Sequence, residues 1–295
     1  MKNYLALGLL TLLLFPAVAQ ARNPSGAPLP SKVQTDSFGT RWTRIGEDNF
    51  TVNAPLGSWA SNSPDKVVYV GDHGLKWHVN PDGWGCPERR TNTWFPHCYE
   101  PSQVLSVHNG MLDYYLHDCT YSDGFNGACT ASPGPFSPLT HTMYQTYGRF
   151  EARLKFVFKD SEHLNQYHLS WLLWPENSSG NGRTLCGESD FPEEWLSMNP
   201  FRMPANAYWH YCPGPNMKQH FYRYVNMTKW HTYTQEWGPR FRRYYIDNKL
   251  VGDTTTGPYS KPERWMLQVL AYNQPGDHTR GHLLVDWVWL GKYHR

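Results

Sequence analysis

Four carboxylates fall within seven residues of the stretch "LCGESDFPEEW", residues 185 to 195: Glu188, Asp190, Glu193 and Glu194. Neighbouring carboxylates can share nucleophilic and general acid/base work when their environments push their pKa values apart. Acidic runs are ordinarily solvated turns, and that remains the competing reading, but this run keeps company with Leu185, Cys186, Phe191 and Trp195. Side chains two apart on a strand share a face, so Glu188 and Asp190 project together, about 6.7 Å apart along the chain. Glu193 is five residues from Glu188 and would point to the other face of a regular strand. One extra residue restores the register, and Pro192, which cannot donate a ladder hydrogen bond, marks a β-bulge there. With the bulge, Glu188, Asp190 and Glu193 line one face. Hydrolysis of a glycoside with retention asks for two carboxyl groups about 5 to 5.5 Å apart, one nucleophile and one acid/base. A third between them can hold a proton, hydrogen-bond the nucleophile and spread the pKa values of the set by like-charge crowding. Glu194 competes for the acid role, since without a bulge it has the parity of Glu188, but it would stand too far along to reach the same glycosidic oxygen.

The elements that must position these acids read as strands nearly throughout. "GRFEARLKF" alternates Phe150, Ala152, Leu154 and Phe156 with Arg149, Glu151, Arg153 and Lys155, a period of two that suits a strand with one wet face. "HTYTQEW", "RRYYIDNKLVG" and "HLLVDWVWL" add aromatic and β-branched runs, with Asp247-Asn248 placed as a hairpin turn. Helical periodicity is absent from any long window. Many short strands with Pro/Gly turns predict an all-β domain, a β-jelly-roll sandwich of two antiparallel sheets. Aromatic residues make up 16 % of the chain, with 14 Trp and 19 Tyr, which suits a β-rich core and also rings on which sugars stack.

Lys2, the apolar run "YLALGLLTLLLFPAVA" and Ala19-Gln20-Ala21 have the three regions of a secretory signal, expected at residues 1–21. The run is too short to be a membrane span, and no later segment is long and apolar enough, so no membrane span is expected. Residues 22–35, rich in Pro, Ser and Gly, read as a flexible leader, and residues 36–295 as one catalytic-size domain with no internal repeat. An exported protein is expected to use its even set of cysteines as disulfides rather than metal ligands. Six cysteines allow fifteen pairings; the spacings favour Cys86 with Cys98 and Cys119 with Cys129, leaving Cys186 with Cys212 to brace the acidic stretch. A net charge of +2 without a Lys/Arg run argues against a nucleic-acid partner.

"CGESDFPEE" resembles the bulged E-x-D-x-x-E active-site strand of glycoside hydrolase family 16, the family of laminarinases, agarases, porphyranases and carrageenases. In chain order, "QTYGRFEARLKF", "LSWLLWP", "KWHTYTQEWGPRFRRYYIDNKLVG" and "LLVDWVWL" resemble other strands of the same family, so that the resemblance covers about residues 36 to 293. It implies a jelly roll with an open cleft on its concave sheet and endo-acting, retaining cleavage of a β-linked polysaccharide, of β-1,3-glucan or galactan type. Carried onto matching positions, it makes Glu188 the nucleophile, Asp190 its assisting carboxylate and Glu193 the acid/base.

Around that strand the resemblance favours Trp171 over Trp174 as the ring meeting the cleft, since the two lie three apart and face opposite ways. Trp195 is a candidate platform at the cleft edge, and His210 stands where the family often has a histidine near the catalytic face. Arg183 occupies a position where the family commonly has Trp, and its guanidinium could stack on a sugar or pair with an acidic substituent. Ser189 replaces the usual Ile or Val; pointing between the sheets, its hydroxyl needs a partner. Sequons occur at Asn49, Asn177 and Asn226. The two-carboxylate chemistry needs no cofactor or metal, although a structural calcium on the outer sheet would fit the family, with no ligands identifiable here. The expected protein is secreted, monomeric and a glycoside hydrolase; a transglycosylase on the same site and a non-catalytic carbohydrate-binding jelly roll are the alternatives.

Overall fold

Period-two alternation and a wealth of Val, Tyr, Phe and Trp make strands along almost the whole chain. The computed structural model describes residues 26–86, 98–159, 164, 167–176, 186–196, 199–212, 218–271 and 280–294. Its strands are Val33–Thr35 (β1), Arg41–Asp48 (β2), Tyr69–Val70 (β3), Lys76–Val79 (β4), Leu105–His108 (β5), Met111–Leu116 (β6), Asp118–Thr120 (β7), Asn126–Ala128 (β8), Pro133–Pro135 (β9) and Tyr144–Gln145 (β10). They continue with Gly148–Val157 (β11), Tyr167–Pro175 (β12), Ser189–Trp195 (β13), Met203–His210 (β14), Lys218–Val225 (β15), His231–Gly238 (β16), Phe241–Ile246 (β17), Lys249–Thr254 (β18), Glu263–Ala271 (β19) and Gly281–His294 (β20). Among the described residues the α-helix is a single turn, Pro101–Val104, with proline at its start where a missing N–H costs nothing.

Two large antiparallel sheets pack face to face as a β-jelly-roll sandwich. A six-stranded sheet in the order β10-β19-β12-β13-β14-β15 carries the acidic strand near its middle. The nine-stranded sheet behind it runs β1-β2-β20-β11-β16-β17-β18, with β6 on β20 and β5 on β6. One face of each supplies the core: Phe150, Ala152, Leu154 and Phe156 from β11 meet Leu169, Trp171 and Leu173 from β12, Ala205 and Ala207 from β14, and Leu267 and Val269 from β19. Each such large side chain removed from water contributes about 1.5 to 3 kcal/mol. Trp42, Trp59, Trp77, Trp171, Trp209, Trp237, Trp265, Trp287 and Trp289 are all buried, so core packing absorbs most of the described tryptophans.

Asp247 and Asn248 close the β17–β18 hairpin with φ of 50° and 61°, the left-handed pair that a two-residue type I′ turn requires. The disulfides are Cys86–Cys98, Cys119–Cys129 and Cys186–Cys212, the pairing that the spacings favour.

Two expectations are corrected. The stretch taken as leader to residue 35 ends in β1, whose Val33, Gln34 and Thr35 pair with Thr43, Trp42 and Arg41, because a strand that finds an edge satisfies its backbone there. The polar face of β11 is wet only toward its far end: Arg149 and Glu151 are buried, the N-terminal stretch reaching them through the Gln34 amide, which donates to Glu151, while Arg153 and Lys155 are half-buried. The segment expected as a signal lies outside the described residues. No helix among those described is long and apolar enough to cross a membrane.

Candidate active site

β13 sits between β12 and β14, and its register sets out the exposed face of the sheet row by row. Asp190 lies opposite Leu172 and Tyr208, and Glu193 opposite Ser170 and Asn206. From Asp190 to Glu193 β13 takes three steps while β14 takes two, from Tyr208 to Asn206, so one extra residue is accommodated between the two acids. That is the bulge the spacing required; the Phe191–Pro192 peptide within it is cis. Glu188 precedes β13 but continues its ladder, its carbonyl accepting from His210 N at 2.9 Å while Gly187 N donates to His210 O at 2.7 Å. Gly187 has φ of +100°, and a Cβ there would come within 2.4 Å of the Tyr259 ring, so this turn into the acidic strand takes only glycine. The Cys186–Cys212 bridge ties the start of this segment to the end of β14.

The inward residue of the motif is held from the other sheet. Ser189 is buried, and its hydroxyl donates to Gln235 Oε1 at 3.0 Å and lies 2.8 Å from the Tyr244 hydroxyl. Gln235 in turn donates from Nε2 to the carbonyl of Phe191 at 3.1 Å, inside the bulge. The departure from Ile or Val at position 189 is therefore matched by a polar network reaching across the core.

Burial raises the pKa of Glu188 well above the ordinary glutamate value, and the charge of Asp190 adds to it. Asp190 is raised likewise by burial and by Glu193, and Glu193 by burial and by Glu188. A carboxylate oxygen of Glu188 and one of Asp190 lie within 4.8 Å of each other, close enough for each to feel the other's charge. Such a set titrates as a unit. Two histidines attend it: His210 Nε2 lies 3.4 Å from Asp190 Oδ2, and His168 Nε2 lies 3.3 Å from Glu193 Oε1. Burial lowers the pKa of His210, which disfavours its charged form. Glu194 is engaged elsewhere: its Oε1 accepts from the Trp195 amide at 3.0 Å and its Oε2 from the Asn206 side chain.

Trp171 requires correction. It faces the interior, 1 % exposed and within the main core cluster, while Trp174 falls on the same face as Leu172 and Ser170, opposite Arg264. His168 shares that parity and escaped sequence reasoning for the same reason: choosing Trp171 as outward-facing turns His168 inward on paper. Trp195 is partly exposed and stacks on His168 at 4.0 Å and 15°. His210 is brought to the acids, whereas Arg183 and the sequon at Asn177 lie outside the described residues.

Among the described residues two clusters place three potential metal-binding atoms within 4.8 Å of one another. One is the Cys86–Cys98 disulfide with Asp123, whose sulfurs are spent; the other is Glu188, Asp190 and His210. Neither is the six- to eight-oxygen shell that calcium takes.

The family model "Glycosyl hydrolases family 16" matches residues 126–288, more than half of the chain. The chain belongs to that family. It is a glycosyl hydrolase on the jelly-roll scaffold of the family 16 laminarinases. Its fold is similar to that of an endo-beta-1,3-glucanase from Pyrococcus furiosus, with a TM-score of 0.63 and 16% identity over 90% of this chain and 99% of that one. An endo-1,3-beta-glucanase catalytic domain from Thermotoga petrophila RKU-1 gives 0.60 and 16% over 86% and 99%. A laminarinase from Rhodothermus marinus gives 0.59 and 15% over 87% and 99%. A search of curated protein sequences finds no match.

Proposed function

We propose that this family 16 hydrolase is a secreted, retaining endo-glycosidase that cuts internal bonds of a β-linked polysaccharide of β-1,3-glucan or galactan type. The observation that carries the reading is the bulge between Asp190 and Glu193, which puts three crowded carboxylates on one face with histidines, rather than Lys or Arg, against them. Glu188 attacks the anomeric carbon as Glu193 gives its proton to the departing glycosidic oxygen, leaving a glycosyl ester on Glu188. Glu193 then takes a proton from water, whose oxygen attacks the same carbon and frees Glu188, so that two inversions give retention. Asp190, protonated in this step, donates to the nucleophile while Glu188 is ionised, and His168 and His210 orient the outer oxygens of Glu193 and Asp190. Three disulfides suit an exported protein. The β-1,3-glucan option takes support from the laminarinase neighbours.

Reducing-end release from laminarin, agarose, porphyran and carrageenan tests the substrate class, with product anomers followed by NMR. Glu188→Gln is expected to lower kcat on the order of 10⁴-fold or more, and Glu193→Gln far more than Glu194→Gln. Polymer binding without release by the oxidised wild type, or inverted products, would sink the proposal.

A further inference from the structure

Beyond the acids, the exposed face of the six-stranded sheet runs outward to its edge strand, β15. Tyr208, opposite Asp190, faces His220; Asn206, opposite Glu193, faces Tyr222; Pro204 faces Tyr224. Paired residues share a face, so these rings continue the surface that carries the carboxylates. They also touch one another in sequence: Tyr208 stacks on His220 at 4.4 Å and 10°, His220 on Tyr222 at 5.6 Å and 27°, and Tyr222 meets Tyr224 edge-on at 5.8 Å. The row is tied to the acidic strand, because His220 Nε2 lies 2.7 Å from Asn206 Oδ1 and Asn206 donates to the Glu193 carbonyl at 3.1 Å. Lys218 Nζ sits 5.2 Å over the Tyr208 ring and the Arg202 guanidinium 4.6 Å over Tyr224.

The outward sides of these rings stay open, with Tyr222 55% and Tyr224 51% exposed. The alternate residue Phe221 turns inward and packs against the core, so the exposure is not a disordered edge but one face of a two-faced strand. Edge strands are commonly blunted by charged side chains or prolines, whereas this face of β15 presents a row of rings. A contiguous exposed aromatic surface marks a binding site.

We infer that Tyr222 and Tyr224, continued inward by His220 and Tyr208, form an outer binding track for the sugar chain being cleaved. This rests on the glycosidase reading of the carboxylates. A chain crossing β14 from the cleavage point reaches β15 about 10 Å away, two strand spacings. There the flat apolar faces of its sugars lie on the tyrosines, while Lys218 and Arg202 donate hydrogen bonds to substituents on the ring edges. The catalytic acids then act on a chain held at a distance from the bond they cut.

The test takes whichever polymer the wild type cleaves and an oligosaccharide series of rising length made from it, with Tyr222→Ala, Tyr224→Ala and, on the opposite face of β15, Arg223→Ala. Each tyrosine variant is expected to raise KM for the polymer roughly five- to tenfold, the value of one lost aromatic contact, with the penalty falling as the chain shortens; Arg223→Ala and the ring-preserving Tyr222→Phe keep the polymer KM. Equal loss at every length, no loss on the polymer, or a change only in oligomeric state on gel filtration overturns the track. If the wild type releases no reducing ends from any polymer, the glycosidase reading fails by itself. Retardation of wild type but not of Tyr222→Ala in polymer-containing gels would then still uphold the track, and equal mobility would end it.

Discussion

Glu151 and Glu236 on the nine-stranded sheet are 1% exposed, as deeply buried as Asp190 at 2% on the six-stranded one, but the two sets of acids meet opposite surroundings. On the first sheet Arg149 reaches both, with Nη2 2.8 Å from Glu151 and Nη1 against Glu236. Thr234 donates to Glu151 at 2.9 Å and the Tyr245 hydroxyl to Glu236 at 3.2 Å. Arg243 holds Asp36 at 2.7 Å and Asp253 at 3.1 Å, with the rings of Phe38 and Phe241 against its guanidinium. Both of these buried guanidiniums have carboxylates to neutralise. On the second sheet Glu188, Asp190 and Glu193 crowd together, and among the described residues the basic groups within ion-pair distance of them are histidines, while Arg242 and Lys218 act on them from further off. An unpaired buried carboxylate costs several kcal/mol, so a fold keeps such a group only where it does something other than hold the fold together. Paired acids mark structure; crowded, unpaired ones mark chemistry.

The largest way to break this comparison is to remove the cation on the structural side. Arg149→Met leaves Glu151 and Glu236 buried without their partner and is expected to cost about 3 to 5 kcal/mol, read as a lowered denaturation midpoint with unchanged slope, while turnover per folded molecule stays at the wild-type level. Glu188→Gln, by contrast, relieves like-charge crowding and is expected to leave the midpoint unchanged or raised. A loss below about 1 kcal/mol for Arg149→Met, the scale of an exposed pair, would dissolve the distinction.

A smaller effect is read from the crowded set by pH. On the structural side burial raises Glu236 as well, to about 8 in spite of Arg149, so the test is confined to Glu188. The crowded carboxyls Glu188 and Glu193 are raised above the ordinary glutamate value of 4.5, so between that value and their own the folded state binds more protons than the unfolded one. Stability falls with rising pH wherever that holds. Their contribution is therefore fully present below about pH 4.5 and lost as pH climbs through the raised values. Glu188→Gln removes one member of the set, and the stability of the variant over wild type is expected to grow with pH, by about 1 to 2 kcal/mol between pH 5 and pH 8. A gap that stays flat or narrows would mean that the acids are not raised together.

Much of this was legible in the residues. Alternation gave the strands, Asp247-Asn248 the hairpin and the five-residue gap with Pro192 the bulge, because each is a local rule of backbone geometry. What local rules do not reach is which way a uniformly apolar strand faces. "YHLSWLLWP" is buried on both sides along most of its length, so hydrophobicity could not separate Trp171 from Trp174, and His168 went with the wrong face. Nor does alternation show what covers a polar face. Arg149 and Glu151 read as solvated because their partners, Glu236 and Gln34, come from distant parts of the chain.

The smallest expected effect concerns the polar lock behind the bulge. Ser189→Val removes the hydroxyl that meets Gln235 and Tyr244, and Gln235→Leu removes the donor to the Phe191 carbonyl; each leaves a buried group unsatisfied and is expected to cost about 1 to 2 kcal/mol. Replacing both partners by apolar groups removes the mismatch along with the bond, so the double variant is expected to lose less than the two singles together, by at least about 0.5 kcal/mol in a double-mutant cycle. The lock also fixes the carbonyl between Asp190 and Glu193, so Gln235→Leu should lower kcat a few-fold with KM unchanged, an effect that stability loss alone does not produce at saturating substrate in the folded fraction. Strict additivity, or a change confined to KM, would show that the bulge holds its shape without help from the facing sheet.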